Sequence, residues 1–321
     1  MRHWLLPVGL AAAMAMPAAG LQAQTYPLKA VNLIVPYTPG GAADTLGRIV
    51  ASSMSRNMGA PFVVENRGGA GGIIGSELAA RSAPDGYTLV VSGLASHILA
   101  PFAAPAQFDP IASFTHIALF GGPPAGLILN PSVPARNVKE FIAFVNSNPK
   151  GLSYASPGIG THGHLVGELF SRHTGINLVH VPYKGGAQAI ADLVAGHVLS
   201  GLSTVVPALP MVRAGKARFL AFTAEHRLSE LPDVPTFAEL GFPELSTTTW
   251  FGLSGPAGMS RPVVNRLNAQ SRSALQQPEV IKQLAAEGIE PNNLDAGMFT
   301  AFFIKEIERW GPLAKVLGSK P

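Results

Sequence analysis

Several short apolar runs in this chain lead through a glycine-bearing corner into a segment of helical spacing, and that alternation restricts the fold more than any other feature. Residues 31–35 (Val-Asn-Leu-Ile-Val) pass through Pro39-Gly40-Gly41 into a helical pattern over 45–58 that stops at Gly59. Residues 62–65 form the next run, 73–81 the next helix, and 87–92 and 116–120 two further runs. A strand buried on both faces reads as a near-continuous apolar run, and two parallel strands need a crossover long enough to hold a helix. The order therefore predicts an α/β architecture, a mostly parallel sheet with helices on both faces.

A second set follows the first. Strands are expected at 127–129, 152–155, 178–181, 198–202 and 219–223, with helices at 138–146, 161–173 and 187–195 between them. Then come a run at 250–253, a long helical stretch over 261–287 and a terminal helix over 298–316. With 321 residues against roughly 100–200 per domain, two sets mean two lobes rather than one wide sheet. Short connections near 120–126 and 222–225 read as crossings, so 24–123 with 224–321 form the first lobe and 124–223 the second. Two lobes joined by a hinge leave a cleft, a usual place for a small-molecule site.

Residues 1–23 carry one arginine, a short apolar run and a close of small residues ending Leu21-Gln22-Ala23. Pro7 and Pro17 interrupt a run already short for a membrane span, so it reads as a secretory signal peptide cut after Ala23, and the chain as periplasmic. Its removal takes Lys plus Arg from 23 to 22 against 19 Asp plus Glu, so net charge falls from +4 to +3. There is no cysteine, which excludes disulfides, thiol nucleophiles, cysteine-held metals and a lipidated-cysteine anchor. A mildly basic balance without a Lys/Arg run gives no nucleic-acid footprint but suits a protein that meets small anions. No later segment is apolar enough for direct membrane insertion.

Three corners can present backbone N–H groups: 35–44, 66–72 and 153–165. Glycine lets a ligand approach the main chain, and a helix start adds unpaired donors at the positive end of its dipole. In the third corner Gly158, Gly160 and Gly163 have the spacing of a dinucleotide fingerprint. That fingerprint needs an acid about 20 residues on to hold the ribose. The following run ends Val179-His-Val-Pro-Tyr-Lys184 and has none. A small anion such as a carboxylate fits this corner; so does a tight strand-to-helix turn that holds nothing.

Catalytic constellations are thin. Ser153, Ser203 and Ser254 each follow Gly-Leu, yet none has glycine two residues later, so the nucleophile-elbow pattern is incomplete. Gly215-Lys216 is followed by Ala217, which breaks a phosphate-binding loop. His162 and His164 are two apart and point to different faces of a helix, which suits packing better than a shared metal. Asp44 beside a helix start reads as a cap, and a buried aspartate there can also receive a ligand's ammonium or hydroxyl. The chain is expected to have no catalytic residue, no metal and no cofactor.

Residues 26–44 (Tyr-Pro-Leu-Lys-Ala-Val-Asn-Leu-Ile-Val-Pro-Tyr-Thr-Pro-Gly-Gly-Ala-Ala-Asp) resemble the opening of the Bug proteins, the TctC-type periplasmic solute-binding components of tripartite tricarboxylate transporters. The resemblance continues through 64–75, 84–89, 154–165, 180–185, 231–236 and Trp250-Phe-Gly-Leu253, essentially the whole mature chain. It implies a two-lobed periplasmic-binding-protein fold, a Venus flytrap that closes on a small carboxylate. On that likeness the first lobe's contacts are Tyr37, Thr38, Gly40, Gly41 and Asp44, with Ser92 beside them. The second lobe's are Ser156, Gly158, Gly160, Thr161 and His164, then Tyr183 and Lys184, then Ser203. Hydroxyls and helix-start N–H groups would hold the carboxylates, directly or through waters, with Tyr37 and Tyr183 flanking the ligand. Lys184 would add a charge, or stand solvated in its turn.

This chain departs from the family at Leu199 and Ser203, where aspartate is common, at Gln188, where proline is usual, and at Ala155, where glycine is frequent. Without an acid at 203 a ligand ammonium loses its partner. The expected ligand therefore lacks a free amine, as a di- or tricarboxylate or an aromatic acid does. Expected partners are that carboxylate and integral membrane transporter subunits or a sensor protein, the chain itself being a monomer. The rival reading is an exported hydrolase or lyase on the same lobes. It needs an activated nucleophile or a matched acid–base pair, and the sequence offers neither in a recognisable arrangement.

Overall fold

The computed structural model describes residues 26–318, so the expected signal peptide, 1–23, lies outside the described residues. One sheet takes β1 (Val31–Val35), β2 (Phe62–Asn66), β3 (Thr88–Gly93), β4 (Phe114–Gly122), β10 (Phe251–Pro256) and β11 (Glu290–Pro291), in the order β11-β4-β10-β3-β1-β2. The other takes β5 (Ala125–Leu129), β6 (Leu152–Ser156), β7 (Leu178–Pro182), β8 (Ser200–Thr204) and β9 (Arg218–Phe222), in the order β7-β6-β8-β5-β9. Each forms one lobe of a two-lobed α/β fold. β1 pairs in parallel with β2 and β3, and β6 with β7 and β8. One central strand in each sheet is reversed: β10 lies antiparallel between β3 and β4, and β5 between β8 and β9. Both reversed strands follow a crossing between the sheets, and their apolar composition carries no sign of direction.

Helices flank both sheets: α1 (Ala42–Met58), α2 (Ile73–Ala80), α3 (Ala100–Ala103), α4 (Val138–Asn146), α5 (His162–Thr174), α6 (Gly186–Ala195), α7 (Leu209–Arg213), α8 (Arg261–Leu275), α9 (Pro278–Ala286) and α10 (Ala296–Gly318). The two-residue period of a strand divides the second lobe's core. Leu127, Leu129 and Tyr154 join Phe141 of α4 and Phe170 of α5, whereas Ile128 and Ala155 join Ile190 and Leu193 of α6. The single helix expected over 261–287 is two. Pro278 has no N–H to donate, and Gln277 before it is extended at φ −69°, ψ 131°, so the chain breaks there and restarts. A π-helical turn, Ala95–Leu99, leads into α3 after β3 and was not anticipated.

The returning chain also differs from expectation. Phe237 and Leu245 sit in the second sheet's core, Leu228, Leu231 and Val234 pack on its other face, and the Phe237 N–H donates to Phe222 O at 2.8 Å. Thr248 then pairs with Pro124 of the outgoing connection. Residues 224–247 thus cover the second lobe, and the two crossings run side by side. A separate cluster spans both lobes: Leu165 of α5 packs with Leu94, Leu99, Trp250 and the α10 residues Phe299, Phe303 and Trp310.

Candidate functional site

The corners after β1, β6 and β7 bring three helix starts together. α1 is capped by Gly41, α5 by Thr161 and α6 by Gly185. A helix leaves its first N–H groups without partners inside the helix. At α5 the Thr161 hydroxyl accepts from the His164 N–H, but at α1 and α6 no capping side chain accepts. A cavity of about 50 Å³ is walled by Gly41, Ala42 and Ala43 of α1, by Thr161, His162 and Gly163, and by Gly186 of α6. Tyr37, Ala95, Pro157, Thr204, Thr249 and Phe251 complete it, so no aspartate, glutamate, lysine or arginine lines it. A second cavity of about 180 Å³ shares Tyr37 and Pro157 with the first and is otherwise lined by residues 69–72, Gly158, Ile159, Pro182, Tyr183 and Lys184.

Backbones from the two lobes nearly touch around these cavities. A Cβ at Gly71 would lie 2.6 Å from Ile159 O, one at Gly160 would lie 2.7 Å from the Ala100 Cα, and one at Gly185 would collide with the Thr38 hydroxyl. Only glycine permits such approach, so these residues let the lobes meet.

Two different latches hold the corners in shape. In the first lobe, Asp44 accepts from the Gly40 N–H at 2.9 Å, the Asn66 amide at 2.9 Å and Arg48 Nε at 3.0 Å. Burial alone would raise the Asp44 carboxyl. The bonds from Arg48, Gly40 and Asn66 together outweigh it and hold the group below the usual carboxylate range. In the second lobe, the Gly160 N–H donates to His164 Nδ1 at 3.2 Å, and the His164 ring stacks on His180 with centroids 4.1 Å apart. His180 Nε2 meets Ser156 Oγ at 2.6 Å, and that hydroxyl accepts from the Gly158 N–H at 3.1 Å. Burial, with His164 beside it, pushes His180 down to about 3.

Of the residues proposed from sequence, Tyr37, Gly41 and Thr161 line the first cavity, and Tyr37, Gly158, Tyr183 and Lys184 the second. The Tyr37 hydroxyl donates to Gly71 O at 3.3 Å, and burial holds it protonated. The Tyr183 hydroxyl donates to Asp192 at 2.8 Å; burial, then Asp192, pushes it up to about 12. Gly40, Asp44, Ser156, Gly160 and His164 belong to the latches behind the walls. Ser92 accepts from Ser254 Oγ at 2.8 Å within the first sheet and lines neither cavity. Thr38 and Ser203 flank the α6 start, the Ser203 hydroxyl being 3.2 Å from where a Gly186 Cβ would stand. Both hydroxyls are buried without a partner.

Sequence reasoning passed over His162, which lines the first cavity although it was read as a packing residue, and it missed Gly186, Thr204, Thr249 and Phe251. The Gly185-Gly186 doublet before a helix was an available signal for Gly186. Nothing local distinguishes Thr249, which the returning chain delivers. Among the described residues no group of three or more His, Cys, Asp or Glu could hold a metal, and no helix is long and apolar enough to cross a membrane.

Residues 46–319 match the model of the TctC family, the tripartite tricarboxylate transporter family receptors. Protein BugT of Bordetella pertussis is 33% identical over 326 residues, covering 100% of this chain and 99% of that protein. Among solved structures, MatC from Rhodopseudomonas palustris with bound malate is 32% identical with a TM-score of 0.84, over 90% of this chain and 100% of that one. A second R. palustris protein, solved with adipate, is 32% identical with a TM-score of 0.87, over 91% and 98%.

Proposed function

The chain belongs to the TctC family of tripartite tricarboxylate transporter receptors, and from that membership we propose that it is an exported solute-binding protein that closes on a small carboxylate and delivers it to a membrane transporter. The observation that carries this reading is the convergence of three helix starts from both lobes on one cavity with no aspartate, glutamate, lysine or arginine on its walls. Each start offers N–H donors and a positive dipole end, so together they neutralise an anion without a lysine or arginine. Opening swings the lobes apart about the paired crossings at Pro124 and Thr248; closing seats the ligand between the corners and excludes water, which strengthens each bond.

The ligand contacts are Tyr37, Gly41, Thr161 and the unpartnered hydroxyls of Thr38 and Ser203, with Lys184 at the rim of the second cavity. No acid lines either cavity, so an ammonium group finds no counter-charge there and the ligand has no free amine. The malate and adipate complexes of the two R. palustris proteins support a dicarboxylate. Mass spectrometry of the compound released from protein purified out of its native compartment tests this. A stoichiometric carboxylic acid, recovered unchanged, is expected. An amine, a neutral sugar, or turnover of the compound overturns the reading. N-terminal sequencing of that same material should begin at Gln24.

A further inference from the structure

Five buried side-chain atoms among the described residues have no hydrogen-bond partner. Two of them, His97 Nε2 and His116 Nε2, belong to rings packed among Phe108, Phe114, Phe299 and Phe303 in the first lobe. Of the other three, His162 Nδ1 belongs to a residue on the wall of the first cavity, while Thr38 Oγ1 and Ser203 Oγ stand beside Gly185 and Gly186 at the start of α6 and line neither cavity. A buried polar atom without a partner costs about 1–3 kcal/mol, and of the five only the His162 atom belongs to a residue that lines a cavity.

His162 is the most informative of them. It is the first residue of α5, 3% exposed, and lines the first cavity. Its Nε2 lies 2.7 Å from Thr247 Oγ1. Thr247 is itself fixed on the returning crossing, where its N–H donates to Thr223 O at 3.0 Å. One ring nitrogen is thus tied to the crossing and the other is buried without a partner. Burial pushes the ring down to about 4, so at neutral pH it is uncharged, and Nδ1 is a donor or an acceptor according to which way the Thr247 hydroxyl turns.

We propose that His162 is a specificity-determining residue whose Nδ1 bonds an uncharged hydroxyl on the body of the bound carboxylate, so that the site prefers hydroxy acids to their deoxy analogues. This rests on the carboxylate reading of the same cavity. A second anionic group at Nδ1 would be buried against walls with no lysine or arginine, and an ammonium against walls with no acid. A hydroxyl both donates and accepts, so it satisfies either tautomer, and a site built to bond a hydroxyl rejects the analogue that lacks it because its own polar group is left unpaired.

The test is calorimetry on the full-length mature protein with matched pairs: succinate against malate, phenylacetate against mandelate, and benzoate against 2-hydroxybenzoate. At least one pair should show a tenfold or greater preference for the hydroxylated member. His162→Phe, which keeps a ring of similar size, should bring that pair within about twofold, the hydroxy acid losing its bond and the deoxy partner no longer leaving Nδ1 unpaired. His162→Asn, whose amide can stand in for Nδ1, should restore part of the preference; it also serves as the readout should the phenylalanine variant fold poorly. Equal affinities within every pair, or a preference that His162→Phe leaves intact, overturn the assignment while leaving carboxylate capture intact. Failure of every acid to bind removes the underlying reading and this one with it.

Discussion

The corner after β1 and the corner after β6 solve the same problem with opposite chemistry. Each must hold a glycine-rich turn still in front of a helix start. The first is tied by an ionised carboxylate, Asp44, which gathers the Gly40 N–H, Asn66 and Arg48. The second is tied by stacked imidazole rings, His164 on His180, and by the Ser156 hydroxyl. A helix start that receives an anion can keep a nearby aspartate only if that charge is already spent. The first lobe spends it on Arg48 and two amides; the second carries none.

Breaking the charged latch should cost most. Asp44→Ala leaves the Gly40 N–H without its acceptor and the Asn66 amide with Tyr37 O alone, and a loss of about 2–3 kcal/mol is expected from urea unfolding. Arg48 is half exposed and adds little to that figure. In the second corner Gly163→Ala would drive a Cβ into the Leu202 carbonyl of β8, an overpacking of backbone against backbone that should cost about 2 kcal/mol in the same measurement. Thr161→Ala removes the hydroxyl that caps α5 and donates to Gly158 O at 2.7 Å; about 1 kcal/mol is expected.

The smallest effect at neutral pH separates the two latches most clearly in acid. His180 in the folded chain titrates near 3, below its ordinary 6.5, so the unfolded or loosened corner takes up the proton first. Its contribution is present above about pH 6.5 and is lost as pH falls toward 3. Asp44, held below its ordinary 3.8, keeps its contribution until pH falls beneath that value. At pH 5, amide exchange at Gly158 and Gly160 should therefore quicken relative to Gly40. His180→Phe should cost under about 1 kcal/mol at pH 7 yet flatten that ratio. If both corners loosen together across the range, the contrast between them is wrong.

Most of the strand and helix order was readable from periodicity, because a buried strand and an amphipathic helix each impose their own spacing whatever surrounds them. The break at Pro278 was readable too, and the long expected helix passed over it. The reversal of β5 and β10 was not, since an apolar run looks the same in either direction. The covering of the second lobe by 224–247 depends on where Phe237 and Leu245 find a groove, which no local pattern states.

For the site, the chain by itself determined the corners: glycines where backbones must approach, and helix starts with no capping side chain at Gly41 and Gly185. Those are local properties of a few adjacent residues. Only the tertiary structure decided that these two starts share a cavity with the capped start of α5, that Asp44 is fully engaged within its own lobe, and that His162 faces Thr247 across 85 positions of sequence. Long-range packing sets these, because which polar atoms lose their water depends on neighbours that the chain supplies from elsewhere.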